Sequence, residues 1–224
     1  RYGFIDEERK ININTAPQDV LTRIFEVIGK VSAEEAAVFA ESVVDWRDED
    51  DDPSDNGAES AYYERLEFPY KCKNGNFEIL EELLLVRGAT QEIFDNVKEY
   101  ITVYGEGKVN FNTAGPLVFR SLGISDDLVQ KIMDYREGND GVESTEDDNI
   151  FNSGQSVVPD LSAKASLSAE DISELNDVVN AGLVGVRSDN FRGTSYGRFK
   201  DRDMSVKIVF VVGRDETIRF WKET

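Results

Sequence analysis

The side chains best suited to chemistry lie together in one acidic segment, residues 48–59. Oxygen-bearing side chains recur there at positions 1, 3, 5, 7, 9 and 12 of a twelve-residue loop: Asp48, Asp50, Asp52, Ser54, Asn56 and Glu59. This is the ligand spacing of an EF-hand, because Ca²⁺ binds several hard oxygen atoms on a flexible loop. Two positions depart from that pattern, since Pro53 replaces the usual glycine and Asp55 replaces an apolar residue.

A bound cation would relieve the repulsion among so many carboxylates in one loop. We therefore predict a calcium site, with a geometry that need not be that of an EF-hand, and with these metal ligands: Asp48, Asp50, Asp52 and Glu59. The alternative is a solvated acidic loop that holds no ion. A second acidic cluster, residues 143–148, lacks ligand-like spacing and is interpreted as such a solvated loop.

The composition argues against several other kinds of chemistry. The 224 residues include no histidine, the commonest general base and zinc ligand, and a single cysteine, Cys72, which excludes an internal disulfide. Acidic residues outnumber basic ones 45 to 25, and the net charge of −20 repels nucleic-acid phosphates and favours cations or basic partners. No two of the 45 carboxylates stand out as an acid–base pair, so no enzyme is predicted.

An internal repeat predicts the helices that position the acidic segment. Lys10–Pro17 reads Lys-Ile-Asn-Ile-Asn-Thr-Ala-Pro, and Lys108–Gly115, 98 residues later, reads Lys-Val-Asn-Phe-Asn-Thr-Ala-Gly. Each copy predicts a short extended run, a helix, a tight glycine turn and a second helix. The result is two small helical hairpins, similar to helix-hairpin-helix motifs, and the acidic segment follows the first of them.

The start of each helix carries a sequence signal. Asn14 or Thr15 is predicted to cap the first helix, and Gly29 to end it. Ser32 is predicted to cap the second helix in a capping box with Glu35. Further helical segments are predicted near residues 79–86, 91–100 and 168–180, and residues 137–164 are predicted to be a long mobile loop.

The pattern changes after residue 182. Residues 204–212 alternate apolar and polar side chains, residues 213–216 form a turn, and residues 217–222 form a return strand. An earlier strand near residues 196–200 is predicted to pair with them. The chain is therefore predicted to be α+β, with a large helical domain over residues 1–182 and antiparallel strands over residues 183–224.

Several motifs together resemble general secretion pathway protein K, a minor pseudopilin of type II secretion systems. The resemblance runs along nearly the whole chain. The matching residues are Asp6-Glu7, Lys10–Asn14, Asp45–Asp50, Gly57–Glu59, Tyr62-Tyr63, Pro69-Tyr70, Asn74, Glu82-Leu83, Val86–Gly88, the second Asn-x-Asn-Thr-Ala copy, Val186–Ser188, Phe191-Arg192 and Trp221–Glu223.

This resemblance implies a pilin-like sheet into which the helical domain is inserted, with the family's hydrophobic N-terminal helix missing from this sequence. It implies a structural protein at the tip of the pseudopilus, assembled with I- and J-type minor pseudopilins. The full-length protein would be anchored in the bacterial inner membrane and would face the periplasm. Members of the family bind calcium in the helical domain, and Asp48, Asp50 and Glu59 fall in the matching acidic segment.

One alternative of a different class remains. Helix-hairpin-helix modules bind DNA phosphates through glycine-rich turns backed by basic residues. Here each turn, Ile28–Val31 and Leu122–Ser125, has one glycine, and the surroundings are acidic. Nucleic-acid binding is therefore the second choice, and no nucleic-acid partner is predicted.

Overall fold

A computed structural model describes residues 4–198 and 205–224 of the chain. The helices are α1 (Gln18–Val27), α2 (Ala33–Arg47), α3 (Ser60–Tyr63), α4 (Gln91–Val97), α5 (Pro116–Ser121), α6 (Asp126–Arg136), α7 (Val157–Lys164) and α8 (Ala169–Asn180), with short 3-10 helices at Leu80–Leu85 and Gly154–Ser156. The strands are β1 (Phe4–Asp6), β2 (Ile11–Asn12), β3 (Ile101–Thr102), β4 (Val109–Asn110), β5 (Val184–Gly185), β6 (Asn190–Arg198), β7 (Ser205–Gly213) and β8 (Ile218–Glu223). None of the helices in these ranges is long and apolar enough to cross a membrane.

The expected mixture of helices and antiparallel sheet is confirmed. The main sheet has the order β1-β6-β7-β8, with antiparallel neighbours. Since β1 comes from the start of the chain, everything between Asp6 and Asn190 is inserted between two adjacent strands. The domain division at residue 182 stays a prediction, and the structure adds β1 to the sheet. Part of the predicted strand near residues 196–200 lies outside the described residues, as does Met204.

The two copies of the repeat have the same local architecture. Each begins with a two-residue strand, β2 or β4, which pairs in parallel with a strand that closes the copy, β3 or β5. Between these strands lie two helices joined by a short turn, followed by an insertion. In each copy an asparagine fixes the insertion: Asn14 bonds both backbone groups of Phe77, and Asn112 bonds both backbone groups of Phe151.

A second feature common to the two copies is an arginine at the end of the second helix. Arg47 donates to the carbonyl oxygens of Ile13 and Ala16, and Arg136 donates to that of Ala114. Ala16 and Ala114 are equivalent positions, 98 residues apart. The charged end of each arginine therefore satisfies carbonyl groups of the repeated loop, which would otherwise be buried without a partner.

Two local predictions are wrong. Asn14 and Thr15 do not cap α1, because the position before that helix is Pro17, and Asn14 is engaged with Phe77. The loop predicted for residues 137–164 ends earlier, since α7 begins at Val157. Val157 and Leu161, one helical turn apart, are both fully buried, and this short stripe was hidden in a segment rich in serine and glycine. The capping box of Ser32 and Glu35 is confirmed.

The sheet has one face turned to the helical part and one open face. Val211 is fully buried on the inner face. On the open face an aromatic row crosses the strands, with Phe4, Phe210 and Trp221 at centroid distances of 6.1 Å. The ring of Phe210 lies over Gly193, where a Cβ atom would come within 2.3 Å of it, so this close packing needs glycine.

Candidate metal centre

Three carboxylates meet where α2 ends and α3 begins. Asp45 and Asp48 lie one turn apart at the end of α2, and Glu59 immediately precedes α3. Their ligand atoms lie within 4.8 Å of one another. Gly57 permits this approach, because a Cβ atom there would lie 1.9 Å from Asp45 Oδ2. Two oxygens bound to one Ca²⁺ at about 2.5 Å each can be up to about 5 Å apart, so the spacing fits a single ion.

The cluster is shielded from water. Asp45 is 1% exposed and Glu59 is 2% exposed, while Asp48 is half-buried. Asp45 is satisfied by Ser54, whose hydroxyl donates to Oδ1 at 2.6 Å and whose backbone N–H also points to the carboxylate. In contrast, both oxygens of Glu59 and Oδ1 of Asp48 are buried and accept no hydrogen bond from the described residues.

Unsatisfied polar atoms are concentrated at this place. Among the described residues, six buried side-chain atoms have no hydrogen-bond partner, and five of them belong to the cluster or its neighbours: Trp46 Nε1, Asp48 Oδ1, Glu59 Oε1 and Oε2, and Asn74 Oδ1. The sixth, Arg192 Nε, lies 2.8 Å from a Glu7 oxygen. Because buried polar groups are normally paired, this concentration indicates that a cation, a proton or water belongs here.

The electrostatics agree with that requirement. Burial raises the pKa of Glu59 to about 7, because the opposing effect of the nearby Cys72 thiol is outweighed by burial together with the charges of Asp45, Asp48 and Asp51. Burial, followed by the charges of Asp50 and Asp45, also raises the pKa of Asp48. Ionisation of these carboxylates is therefore unfavourable unless a proton on Glu59 or a bound cation compensates their charge.

The structure brings together only part of the predicted ligand set. Asp48 and Glu59 are in the cluster, whereas Asp50 and Asp52 are exposed, and the Asp50 side chain accepts the backbone N–H of Asp52 at 2.9 Å. Asp45, the third member of the cluster, is absent from the predicted ligand set. Its signal in the sequence is its spacing of three residues from Asp48 on a helix, which places both side chains on one face.

In the second acidic cluster, residues 143–148, carboxylates do accept hydrogen bonds from the protein, unlike the carboxylate of Glu59. Asp147 accepts the backbone N–H groups of Asn139 and Asp140, and Asp148 accepts that of Ser144. Glu143 pairs with Arg136 at 2.8 Å. These carboxylates have donors from the protein itself, so nothing in their surroundings calls for an ion.

Aromatic residues pack against one another beside the carboxylate cluster. Trp46 and Tyr63 are buried and meet edge to face at 5.2 Å, and Tyr63 stacks on Tyr70 at 5.2 Å. Trp46 and Tyr63 are therefore part of the hydrophobic core. Tyr62 is 38% exposed and lies beneath the guanidinium of Arg87.

Fold and site together define an α+β protein in which a duplicated helical unit interrupts an antiparallel sheet and encloses a carboxylate cluster. Residues 6–106 match the family model described as type II secretion system (T2SS), protein K. This part of the chain is similar to the family, and the resemblance read from the motifs within residues 6–106 is confirmed.

Curated relatives and a solved structure agree. The chain is 35% identical over 85 residues to type II secretion system protein K of Aeromonas hydrophila, and 28% identical over 97 residues to that of Pectobacterium carotovorum subsp. carotovorum. These matches cover 37% and 43% of this chain, but only 26% and 29% of those relatives. A solved structure of the GspK-GspI-GspJ complex from enterotoxigenic Escherichia coli contains a chain with the same fold, with a TM-score of 0.74, 16% identity, and coverage of 100% of this chain and 79% of that chain.

Proposed function

We propose that this chain is the globular part of a K-type minor pseudopilin, a structural protein at the tip of the type II secretion pseudopilus. The observation that carries the proposal is the match of residues 6–106 to protein K, supported by a shared fold over the whole chain. Its partners would be I- and J-type minor pseudopilins, as in the solved complex of the relative. The full-length protein would be anchored in the inner membrane and would face the periplasm before assembly.

The test is genetic complementation. A full-length protein carrying this globular part replaces protein K in a strain that depends on type II secretion, and export of a secreted enzyme is measured. We expect export to be restored, whereas a truncation that ends before β6 should not restore it. Failure of the intact chimera, despite normal expression and a normal melting curve, would contradict the proposal.

The contact with other pseudopilins is proposed to involve β7, β8 and the open face of the sheet. Trp221 is 52% exposed and Phe4 is 64% exposed there, so an apolar surface is available. Charge reversal at Lys207 or Arg219 should weaken assembly. Assembly that is unaffected by both reversals would count against the involvement of β7 and β8.

We also propose that the cluster of Asp45, Asp48 and Glu59 holds a calcium ion. The support is the buried, unpartnered carboxylate of Glu59, together with ligand spacings that suit Ca²⁺. A bound cation would supply the charge that these carboxylates lack and would join the end of α2 to the start of α3. Whether Asp50 and Asp52 also contribute is tested by neutralising each one separately and measuring calcium affinity.

Assignment of the two hairpins to the helix-hairpin-helix class remains part of the proposal, without a role in binding DNA. The net charge of −20 opposes phosphate binding. The discriminating measurement is DNA binding at low salt, where electrostatic binding is strongest. Salt-sensitive binding there would favour the nucleic-acid alternative.

A further inference from the structure

The helical part is attached to the sheet through two neighbouring chain crossings, residues 6–10 and 186–190. They are neighbours because β1 pairs with β6, with Asp6 opposite Phe191. Two adjacent crossings form a natural hinge axis, about which an inserted domain can rotate unless side chains fix it. Several side chains at this joint are both polar and buried: Glu7, Glu8, Lys10, Ser188 and Asn190.

Glu7 is the centre of the joint. It is fully buried, and its carboxylate accepts the Thr102 hydroxyl at 2.7 Å. The same carboxylate lies 3.1 Å from Lys10 Nζ and 2.8 Å from Arg192 Nε. Thr102 belongs to the first repeat and Arg192 to the sheet, so one buried carboxylate connects the two parts.

The residues on either side of Glu7 reach other parts of the molecule. Asp6 accepts from Asn110 Nδ2 at 3.0 Å, and this amide also donates to Ser188 at 2.8 Å, which ties the second repeat to both crossings. Glu8 accepts from Asn190 Nδ2 at 2.7 Å and from the backbone N–H of Asn190 at 3.1 Å. Three successive acidic residues thus bind the first repeat, the second repeat and the start of β6.

We propose that residues 6–8, which we call the acidic clasp, lock the helical part and the sheet into one rigid body, with Glu7 as the key positioning residue. Buried charges and hydrogen-bonding groups are costly to separate from their partners, so rotation at the joint would strand Lys10, Arg192 and Thr102. The clasp transmits orientation: a partner that binds the sheet also sets the direction of the helical part.

The experiment measures distances between spin labels on the two parts. Cys72 is buried, so labels attach to introduced cysteines at exposed sites: Glu34→Cys with Glu216→Cys across the joint, and Glu34→Cys with Glu170→Cys within the helical part. The variant is Glu7→Gln, which keeps the shape and removes the charge. The matched control is Asp19→Asn, which removes an exposed ion pair with Arg23.

We expect Glu7→Gln to broaden the distance distribution across the joint and to leave the distribution within the helical part unchanged. Asp19→Asn should change neither. If Glu7→Gln does not fold, Thr102→Val removes one bond to the same carboxylate and decides the question in the same way. An unchanged distribution across the joint would overturn the proposal. Broadening of both distributions would also overturn it, because Glu7 would then stabilise the fold in general.

Discussion

Removal of the proposed calcium ion should destabilise the folded chain, because it leaves the carboxylates of Asp45, Asp48 and Glu59 without a counter-charge. Two charges 4.8 Å apart repel by about 3 kcal/mol at an effective dielectric constant of about 20. Three ionised carboxylates at such distances would therefore cost several kcal/mol, which is enough to require a proton or a cation. A cation at about a hundredfold excess over its dissociation constant stabilises the folded state by about 2.7 kcal/mol. For a chain of this size that corresponds to roughly 5–10 °C in melting temperature.

The assay is a thermal melt in millimolar calcium, in magnesium and in chelator. We expect chelator to lower the melting temperature, and magnesium to restore it less than calcium does, because Mg²⁺ resists irregular coordination. Glu59→Gln removes one charge at constant volume. In chelator it should melt higher than the parent, since repulsion with Asp45 and Asp48 is relieved, and it should lose most of the response to calcium.

The matched control is Asp52→Asn, which neutralises an exposed carboxylate in the same segment. If only the cluster of Asp45, Asp48 and Glu59 binds the ion, this variant should keep nearly the full response to calcium. A parent whose melting temperature is the same in calcium and in chelator would refute the reasoning. The segment would then be a solvated acidic surface, with a proton on Glu59.

Three further predictions follow from contacts at and around the site. In chelator, the free energy of unfolding, measured by denaturant titration, should rise as pH falls from 8 to 6. The reason is that the raised pKa of Glu59 makes the folded state bind more protons than the unfolded state. Glu59→Gln should flatten this rise. Gly57→Ala places a methyl group 1.9 Å from Asp45 Oδ2, so calorimetry should show a loss of calcium affinity, with a destabilisation of about 1–3 kcal/mol. Asn14→Ala removes two hydrogen bonds to the backbone of Phe77, and Asn112→Ala removes three, two to Phe151 and one to the carbonyl oxygen of Val186, so each should cost about 2–3 kcal/mol or more. Only Asn14→Ala should also weaken calcium binding, because it releases the insertion that carries the site.

The parts of the fold that were predictable are those with local signals. The repeated Asn-x-Asn-Thr-Ala segment, the Ser32 capping box and the alternation in β7 each occupy a few consecutive residues. The parallel pairs β2–β3 and β4–β5 could not be predicted in this way. They involve two residues per strand, and the paired strands are 90 and 75 positions apart in the sequence, which leaves no periodicity to detect.

At the candidate site, too, the local signals were predictable and the tertiary contacts were not. Two of the four ligands predicted from the acidic segment, Asp48 and Glu59, lie in the cluster. Its geometry depends on Gly57 lying against Asp45 and on Ser54 capping that carboxylate, which are tertiary contacts. Linear ligand spacing therefore selected Asp50 and Asp52, which the structure leaves at the surface, and passed over Asp45 on the helix.

The central claim, that this chain is a K-type minor pseudopilin, is tested most directly by binding to the globular parts of I- and J-type minor pseudopilins. The measurement is analytical ultracentrifugation of the chain mixed with both partners, in calcium and at physiological salt. We predict a complex that contains one copy of each of the three chains. The double substitution Lys207→Glu with Arg219→Glu should weaken this complex. Sedimentation of the folded chain as a free species, in the presence of an I–J pair that binds a known protein K, would contradict the account.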